Sequence, residues 1–597
     1  MAKTYTKGLE PVAVAAHENL TTTLWSRGAM GGGREILRHH ADGAWRGLTW
    51  QQLATRVEAV AAGLIAAGVE HGDRVALMSS TRLDWTVADL AILAAGGVTV
   101  PLYETSSVDR CGWILSDSGA KLVLAGSADN AKTVEAARAQ APALGEVLVL
   151  DDRGLDALAD RADASHRERV TQRVSASGTG DLASIIYTSG TTGNPRGCML
   201  THGNLLSTAR QTELQLSELF QGDSSTLLFL PLAHVFARII QFGCLEAQAQ
   251  IIYARSVDSL VEDLAAVQPT FLLAVPRLFE KIFNGAQRKA EGAKAKIFQL
   301  AVDLGRQWSE AKDAGRSPGL VTRLGHGLVD KLVYAKLRAA LGGRMRYVVS
   351  GGAPLAPHLA HFFNAAGLTV LEGYGLTETS AATTVNRVTK RRIGTVGVPN
   401  AGVEVKVAED GELFIKGPGV FLGYWHNDEA TREVLGDDGW FRTGDIGEID
   451  DDGFVRITGR KKEILITAGG KNVAPAVLEE RLKAHRLVSQ ALVVGDGRPF
   501  IAALVTLDPD ELAAFAKDHG LTGDVAQLCG NPQVQAELQK AVDHANRVVS
   551  KPESIRKIVV LEREFTEEAG ELTPSIKLRR GTIYEHFAAQ IEGVYAR

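Results

Sequence analysis

The feature that most restricts the fold is the run Tyr187-Thr-Ser-Gly-Thr-Thr-Gly-Asn-Pro-Arg-Gly197, set directly after the apolar segment ASII. Glycines interleaved with hydroxyl side chains let backbone N–H groups and Ser/Thr oxygens converge on an anion. Thr188, Ser189, Gly190, Thr191, Thr192, Gly193 and Arg196 are therefore candidate polyphosphate contacts at the end of a strand. The run is not a Walker A loop, because no GK[ST] follows the glycines. Upstream, Gly178-Thr-Gly-Asp-Leu-Ala183 fits GxGxxA but leads into a strand rather than a helix, so it fails as a dinucleotide fingerprint.

The surrounding text alternates helix and strand. TWQQLATRVEAVAAGLIAAGV has apolar residues at helical spacing and ends near Gly68; RVALMS reads as a short buried strand, and DWTVADLAILAAGGV as a second helix before VTVPLY. Such alternation predicts a largely parallel α/β sheet. The polar stretch 151–180 has few large apolar residues and reads as a surface excursion, and 280–342 as a charged helical block broken by GRSPG. After Gly394, short strands with Gly-rich turns predict antiparallel hairpins. Thr458-Gly-Arg-Lys-Lys-Glu463 is a charged hinge candidate before a smaller C-terminal unit.

At 597 residues the chain is long enough for about four units of ordinary size. A 45% hydrophobic composition excludes intrinsic disorder, and a net charge of -5 argues against a broad nucleic-acid footprint. The cysteines, Cys111, Cys198, Cys244 and Cys529, form no CxxC pair, against a disulfide framework or zinc ribbon. The start carries no signal-peptide run, and the longest apolar stretch, Leu90 to Tyr103, falls short of the ~20 residues that span a bilayer. A soluble cytoplasmic enzyme is the expectation.

Other motifs follow in order: Ser350-Gly-Gly-Ala-Pro354, Glu372-Gly-Tyr-Gly-Leu-Thr-Glu-Thr379, Trp440-Phe-Arg-Thr-Gly-Asp445, the hinge candidate, and Glu571-Leu-Thr-Pro-Ser-Ile-Lys577. Together with the loop they resemble the adenylate-forming superfamily of acyl-CoA synthetases, luciferases and adenylation domains. PLAHVFAR (231–238), VPRLFEKIF (275–283) and ELTPSIKLRR (571–580) are most similar to long-chain fatty-acid:CoA ligases. The resemblance implies an N-terminal lobe, residues 1–457, of two α/β sheets plus a distorted β-barrel, a hinge at 458–463, and a small mobile α+β domain, 464–597.

It also implies roles. Tyr374, with Glu372, Gly373 and Gly375, would stack adenine against Gly352, Ala353 and Pro354; Thr377 would contact the α-phosphate and Glu378 hold Mg²⁺. One carboxylate suits Mg²⁺, which keeps waters and takes oxygens from phosphates. Asp445 and Arg460 would bind the ribose, and Lys462 would occupy the hinge. Lys577 would neutralise charge that develops on the carboxylate and α-phosphate. His234 would lie near the acyl pocket, while His202 would fix local backbone. Ala468, Gly469 and Gly470 would form a strand that leaves room for a pantetheine arm. Arg196 stands where the family commonly has Lys, and a planar, forked cation is not equivalent to an ammonium.

The implied reaction converts a long-chain fatty acid and ATP to acyl-AMP and pyrophosphate, then transfers the acyl group to CoA. Two alternatives stay open: a fatty acyl-AMP ligase that serves a carrier protein, and activation of a different carboxylic acid. Leu324, Leu328, Leu332 and Ala335 form an apolar stripe beside Arg323, Lys331, Lys336 and Arg338. The expectation is a helix packed on the core with a solvated basic face, with membrane-surface association as its rival. The sequence leaves oligomeric state open.

Overall fold

The computed structural model describes residues 4–151, 153–188, 194–290, 292–573 and 577–596. Ser189, Gly190, Thr191, Thr192 and Gly193 of the loop lie outside the described residues, as do Pro574, Ser575 and Ile576.

The predicted α/β lobe is present. Arg74–Met78 and Val98–Leu102 form parallel strands, and Val75 to Met78 are fully buried, as a strand covered on both faces requires. They belong to a seven-stranded sheet whose far strands, Leu182–Thr188, Arg196–Thr201 and Gly423–Tyr424, run antiparallel to one another. The helix Trp50–Ala66 covers this sheet and starts from a capping box: Thr49 Oγ1 accepts from Gln52 N, and Gln52 Oε1 accepts from Thr49 N at 2.8 Å. A second, nine-stranded sheet is parallel through its centre, with Phe271–Ala274, Tyr347–Ser350 and Thr369–Tyr374 side by side.

An ion pair with no solvent exposure ties the two sheets together. Arg238, on the helix Val235–Ala247, donates from Nη2 to Asp89 Oδ1 at 2.5 Å and from Nη1 to Ser184 Oγ at 2.6 Å. Thr99 Oγ1 also donates to Asp89 at 2.8 Å, so the buried carboxylate has the partners that its desolvation demands.

Tyr5–Lys7, Glu404–Val407, Glu412–Lys416, Phe441–Ile449 and Val455–Arg460 make a five-stranded antiparallel sheet, where the resemblance implied a distorted barrel. The C-terminal unit is built on a three-stranded sheet, Val488–Val494, Ile501–Leu507 and Ile555–Val560, with helices and separate apolar clusters on its two faces.

Two expectations are corrected. The stretch 151–180 is not an irregular excursion: it contains the helices Gly154–Ala159 and Ala164–Ala176, which bury Leu155, Leu158 and Val170. Gly63 permits this packing, since a Cβ there would lie 2.2 Å from the Leu158 carbonyl oxygen. The apolar stripe does not face the core either. Leu324 and Leu328 are 70% and 58% exposed, and Leu332 is also exposed. No helix among the described residues is long and apolar enough to cross a membrane.

Candidate active site

The motifs gather at the carboxyl ends of the parallel strands, where open α/β sheets place their ligand crevices. Thr188 and Arg196 face each other across the hairpin that frames the Gly/Thr loop. The hairpin is anchored below by Tyr187, whose OH donates to Asp117 Oδ2 at 2.5 Å. Gly351-Gly-Ala-Pro354 leaves the strand Tyr347–Ser350, and Gly352 turns with φ +81°, which glycine adopts without strain.

The strand Thr369–Tyr374 delivers the neighbouring motif. Tyr374 OH donates to Asp445 Oδ2 at 2.5 Å, and Arg460 Nε meets the other oxygen at 3.1 Å. Asp445 and Arg460 are direct partners across the strands Phe441–Ile449 and Val455–Arg460, so register alone sets them side by side. Burial pushes the Asp445 carboxyl upward, while Arg460 and the Tyr374 hydrogen bond oppose that shift. Burial and the Asp445 charge raise the Tyr374 phenol, which stays a donor.

Thr377 and Glu378 lie in a short 3₁₀ turn, Thr377–Thr379, followed by Ser380 and Ala381 at φ +55° and +77°. Such angles in non-glycine residues store strain of about 1 kcal/mol or more each and cluster at functional sites. Gly375 is required by this fold-back, because a Cβ would sit 1.2 Å from the Ala381 carbonyl oxygen. Its lack of a side chain thus serves the protein's own turn, whatever it also leaves open to a nucleotide. Glu378 Oε1 accepts from Tyr424 OH at 2.9 Å. Among the described residues no cluster of three His, Cys, Asp or Glu could hold a metal. A single carboxylate fits Mg²⁺ that takes most of its oxygens from phosphates and water.

Lys577 reaches the same cleft from the C-terminal unit. It lines a cavity of about 1490 Å³ together with His234 and Gly352, Ala353 and Pro354. The surrounding protein, and then the Arg460 guanidinium, lower its ammonium below the ordinary lysine value. From that end the cavity runs between Phe229, Phe236, Ile282, Phe298, Leu341 and Phe362. His234 caps the helix Val235–Ala247, with Nδ1 accepting from Phe236 N at 3.1 Å. Burial, helped by Lys577, pushes its pKa down to about 4, so it is neutral at pH 7. His202, expected to fix its local backbone, instead accepts from Leu20 N at 3.3 Å in the core and ties down a segment distant in sequence.

Other candidates sit elsewhere. Glu372 turns from the cleft to accept from Leu355 N at 3.1 Å, and so braces the Gly352–Pro354 turn. Gly373 pairs across to Val385. Lys462 is exposed in the 3₁₀ turn Lys461–Glu463, while its neighbour Lys461 binds Asp410 and Glu412 at 2.6 and 2.8 Å. Ala468, Gly469 and Gly470 are a turn between Leu465–Ile466 and Asn472–Val473, not a strand; Gly470 has φ +75° and all three are exposed. Sequence reasoning missed Tyr424, for which FLGYW offers no chemical signal, and Arg580, which joins Glu463 and Glu479 at 3.2 and 2.6 Å.

Parallel-centred sheets that converge on such a cleft, with a lysine supplied by a separate unit, define an AMP-binding α/β enzyme. The chain belongs to the AMP-binding enzyme family, which matches residues 26–425; the AMP-binding enzyme C-terminal domain matches 462–597. It is 44% identical to Long-chain-fatty-acid--CoA ligase FadD15 of Mycobacterium tuberculosis over 98% of both chains. It is 32% identical to peroxisomal long chain acyl-CoA synthetase 7 of Arabidopsis thaliana, over 93% of this chain and 82% of that one. Among solved structures, ATP-bound MatB from Rhodopseudomonas palustris superposes with a TM-score of 0.69 at 25% identity, covering 96% of this chain and 99% of the other. The adenylation domain of a carboxylate reductase from Mycobacterium chelonae shares the fold, with a TM-score of 0.74 at 24% identity, covering 97% of this chain and 91% of that one.

Burial, opposed in part by the Leu355 N–H, raises Glu372 from the ordinary carboxylate value of 4.5 to about 8. Between those values the folded state holds a proton that the unfolded chain has lost. The stabilising contribution is thus complete below about pH 4.5 and disappears as pH rises through about 8. Thermal midpoints from pH 5 to 9 should fall less steeply for Glu372→Gln than for wild type. Identical slopes would contradict the protonated, buried assignment.

Proposed function

We propose that the chain is an ATP-dependent long-chain fatty-acid:CoA ligase. The observation that carries this reading is the apolar cavity that starts beside Lys577 and His234 and exceeds the ~300–1,000 Å³ of ordinary small-ligand pockets. A fatty acid near pH 7 is a carboxylate and a poor electrophile. Its oxygen attacks the α-phosphorus of ATP, the bond to pyrophosphate breaks, and acyl-AMP forms. The CoA sulfur, as thiolate, then attacks the acyl carbon and AMP leaves. Thr188 to Gly193 and Arg196 would cradle the phosphates, Tyr374 with Gly352 to Pro354 the adenine, Asp445 and Arg460 the ribose, and Thr377 the α-phosphate. Lys577 would offset charge that grows in the transition state. Mg²⁺, held through Glu378, would supply further charge neutralisation.

Lys577 faces the cleft while the exposed Gly469–Gly470 turn does not, which suits the adenylating step. The second step then requires the C-terminal unit to rotate about 458–463. The contacts holding it are long-armed, partly exposed ion pairs, such as Arg277–Asp508 at 3.4 Å and Arg288–Glu511 at 3.1 Å. Their arginines are about a third exposed, so water can replace the guanidinium contacts as the closed arrangement is left.

A specific surface favours peripheral membrane binding. The exposed face of Leu320–Val329 carries Val321, Leu324 and Leu328, with Arg323 and Lys331 beside them. It continues through Leu332 and Lys336, which line the cavity. An apolar stripe with a basic border matches an anionic lipid surface, and here it meets the acyl cavity.

Mass spectrometry of products from acids of 4 to about 18 carbons, with ATP and Mg²⁺, tests the chemistry. Long-chain acyl-CoA should form only with CoA present. Acyl-AMP accumulating unchanged by CoA would favour a carrier-protein acceptor, and activity confined to short or aryl acids would contradict the substrate class. In co-sedimentation with phosphatidylglycerol vesicles, wild type should pellet at low salt and Leu324→Glu/Leu328→Glu should not. Wild type remaining in the supernatant would contradict the lipid-facing surface.

A further inference from the structure

Tyr424 stands outside the motifs that announced chemistry, yet it touches two of their side chains. It lies on the short strand Gly423–Tyr424, opposite Cys198 on the strand that closes the phosphate loop. Leu422 N donates to Met199 O at 3.1 Å and Trp425 N to Gly197 O at 2.7 Å, so the segment is zipped onto that strand from both sides. The Tyr424 side chain is buried, and Phe421 packs edge-on against it at 4.9 Å between centroids.

Its two polar faces are both used. The OH donates to Glu378 Oε1 at 2.9 Å, and the Arg196 guanidinium carbon lies 5.5 Å from the ring centroid. The hydroxyl is thus the donor and the carboxylate the acceptor, which fixes the orientation of both side chains. Cys198, Tyr424's partner on the neighbouring strand, is wholly buried, while Glu378 is half-buried and Arg196 exposed.

We propose that Tyr424 is a positioning residue that couples the magnesium carboxylate, Glu378, to the loop cation, Arg196. The hydroxyl engages Oε1 of Glu378, which would leave the other oxygen for a metal, and the ring lies under the Arg196 guanidinium. The coupling also accounts for arginine at position 196. A planar, delocalised cation stacks on an aromatic face, whereas a lysine ammonium is a compact, strongly hydrated charge. The proposal rests on the reading of Glu378 and Arg196 given under the proposed function.

The test is ATP–pyrophosphate exchange with a long-chain acid, titrating Mg²⁺ and ATP separately, together with direct Mn²⁺ binding to the ATP-bound protein followed by electron paramagnetic resonance. In the binding measurement Tyr424→Phe should weaken Mn²⁺ binding in parallel, and unchanged binding would overturn the coupling. Tyr424→Phe keeps the ring and its packing and removes one hydrogen bond to a charged group. The half-saturating Mg²⁺ concentration should rise about 10-fold or more, while KM for ATP at saturating Mg²⁺ moves less than about 2-fold. Tyr424→Leu should raise both. Arg196→Lys should raise KM for ATP in the wild-type background and add little in Tyr424→Leu. A Phe variant with unchanged Mg²⁺ dependence, or Arg196→Lys effects that multiply independently of residue 424, would overturn the coupling. Absence of Mg²⁺-dependent exchange in the wild type would instead overturn the parent reading, so the two failures are distinct.

Discussion

The site depends on one buried carboxylate. Asp445 is 2% exposed, and an isolated charge at such a position costs several kcal/mol. It is stabilised by Tyr374 on one oxygen and Arg460 on the other. These partners come from different parts of the lobe: Tyr374 from the end of the nine-stranded sheet, Arg460 from the last strand before the C-terminal unit. Satisfying Asp445 therefore locks the end of the strand Thr369–Tyr374, the five-stranded sheet and the approach to residue 461 into one geometry. Burial and the Arg460 charge lower the Lys577 ammonium, and the Asp445 charge offsets part of that shift.

From that anchor the electrostatics are local. Arg196, Arg460 and Lys577 supply positive charge around a cleft in a chain whose net charge is -5. Lys577 stands where that cleft meets the large cavity, whose walls include Phe229, Phe236, Phe298 and Phe362. A molecule with a charged head and a long apolar tail matches that gradient. The ion pairs between the lobe and the C-terminal unit, with partly exposed arginines against more buried carboxylates, are as much a part of the device as the tight ones within it.

Much of this was legible in the sequence where spacing maps directly onto geometry. TWQQLATRVEAVAAGL revealed its helix through periodicity, and RVALM its strand because a continuous apolar run has to be covered on both faces. The Asp445–Arg460 contact was not visible, since their separation becomes proximity only through a hairpin register that contains a bulge. The stretch 151–180 hid its helices because so few residues are buried that no stripe emerges. The 323–342 stripe showed the opposite failure: periodicity identified the apolar face correctly, but amphipathicity does not say whether that face meets the core or the solvent. Gly375 and Glu372 carried motif identity, yet their contacts are with Ala381 and Leu355.

The central claim is that the C-terminal unit brings Lys577 to the cleft for the first half of the reaction and withdraws it for the second. Measuring both halves separately in Lys577→Ala tests this most directly. Acid-dependent ATP–pyrophosphate exchange should fall by about 10²–10³-fold, in line with loss of one preorganised electrostatic group. Conversion of synthetic acyl-AMP and CoA to thioester should stay within a few-fold of wild type. Equal loss in both halves, or undiminished exchange, would contradict the account.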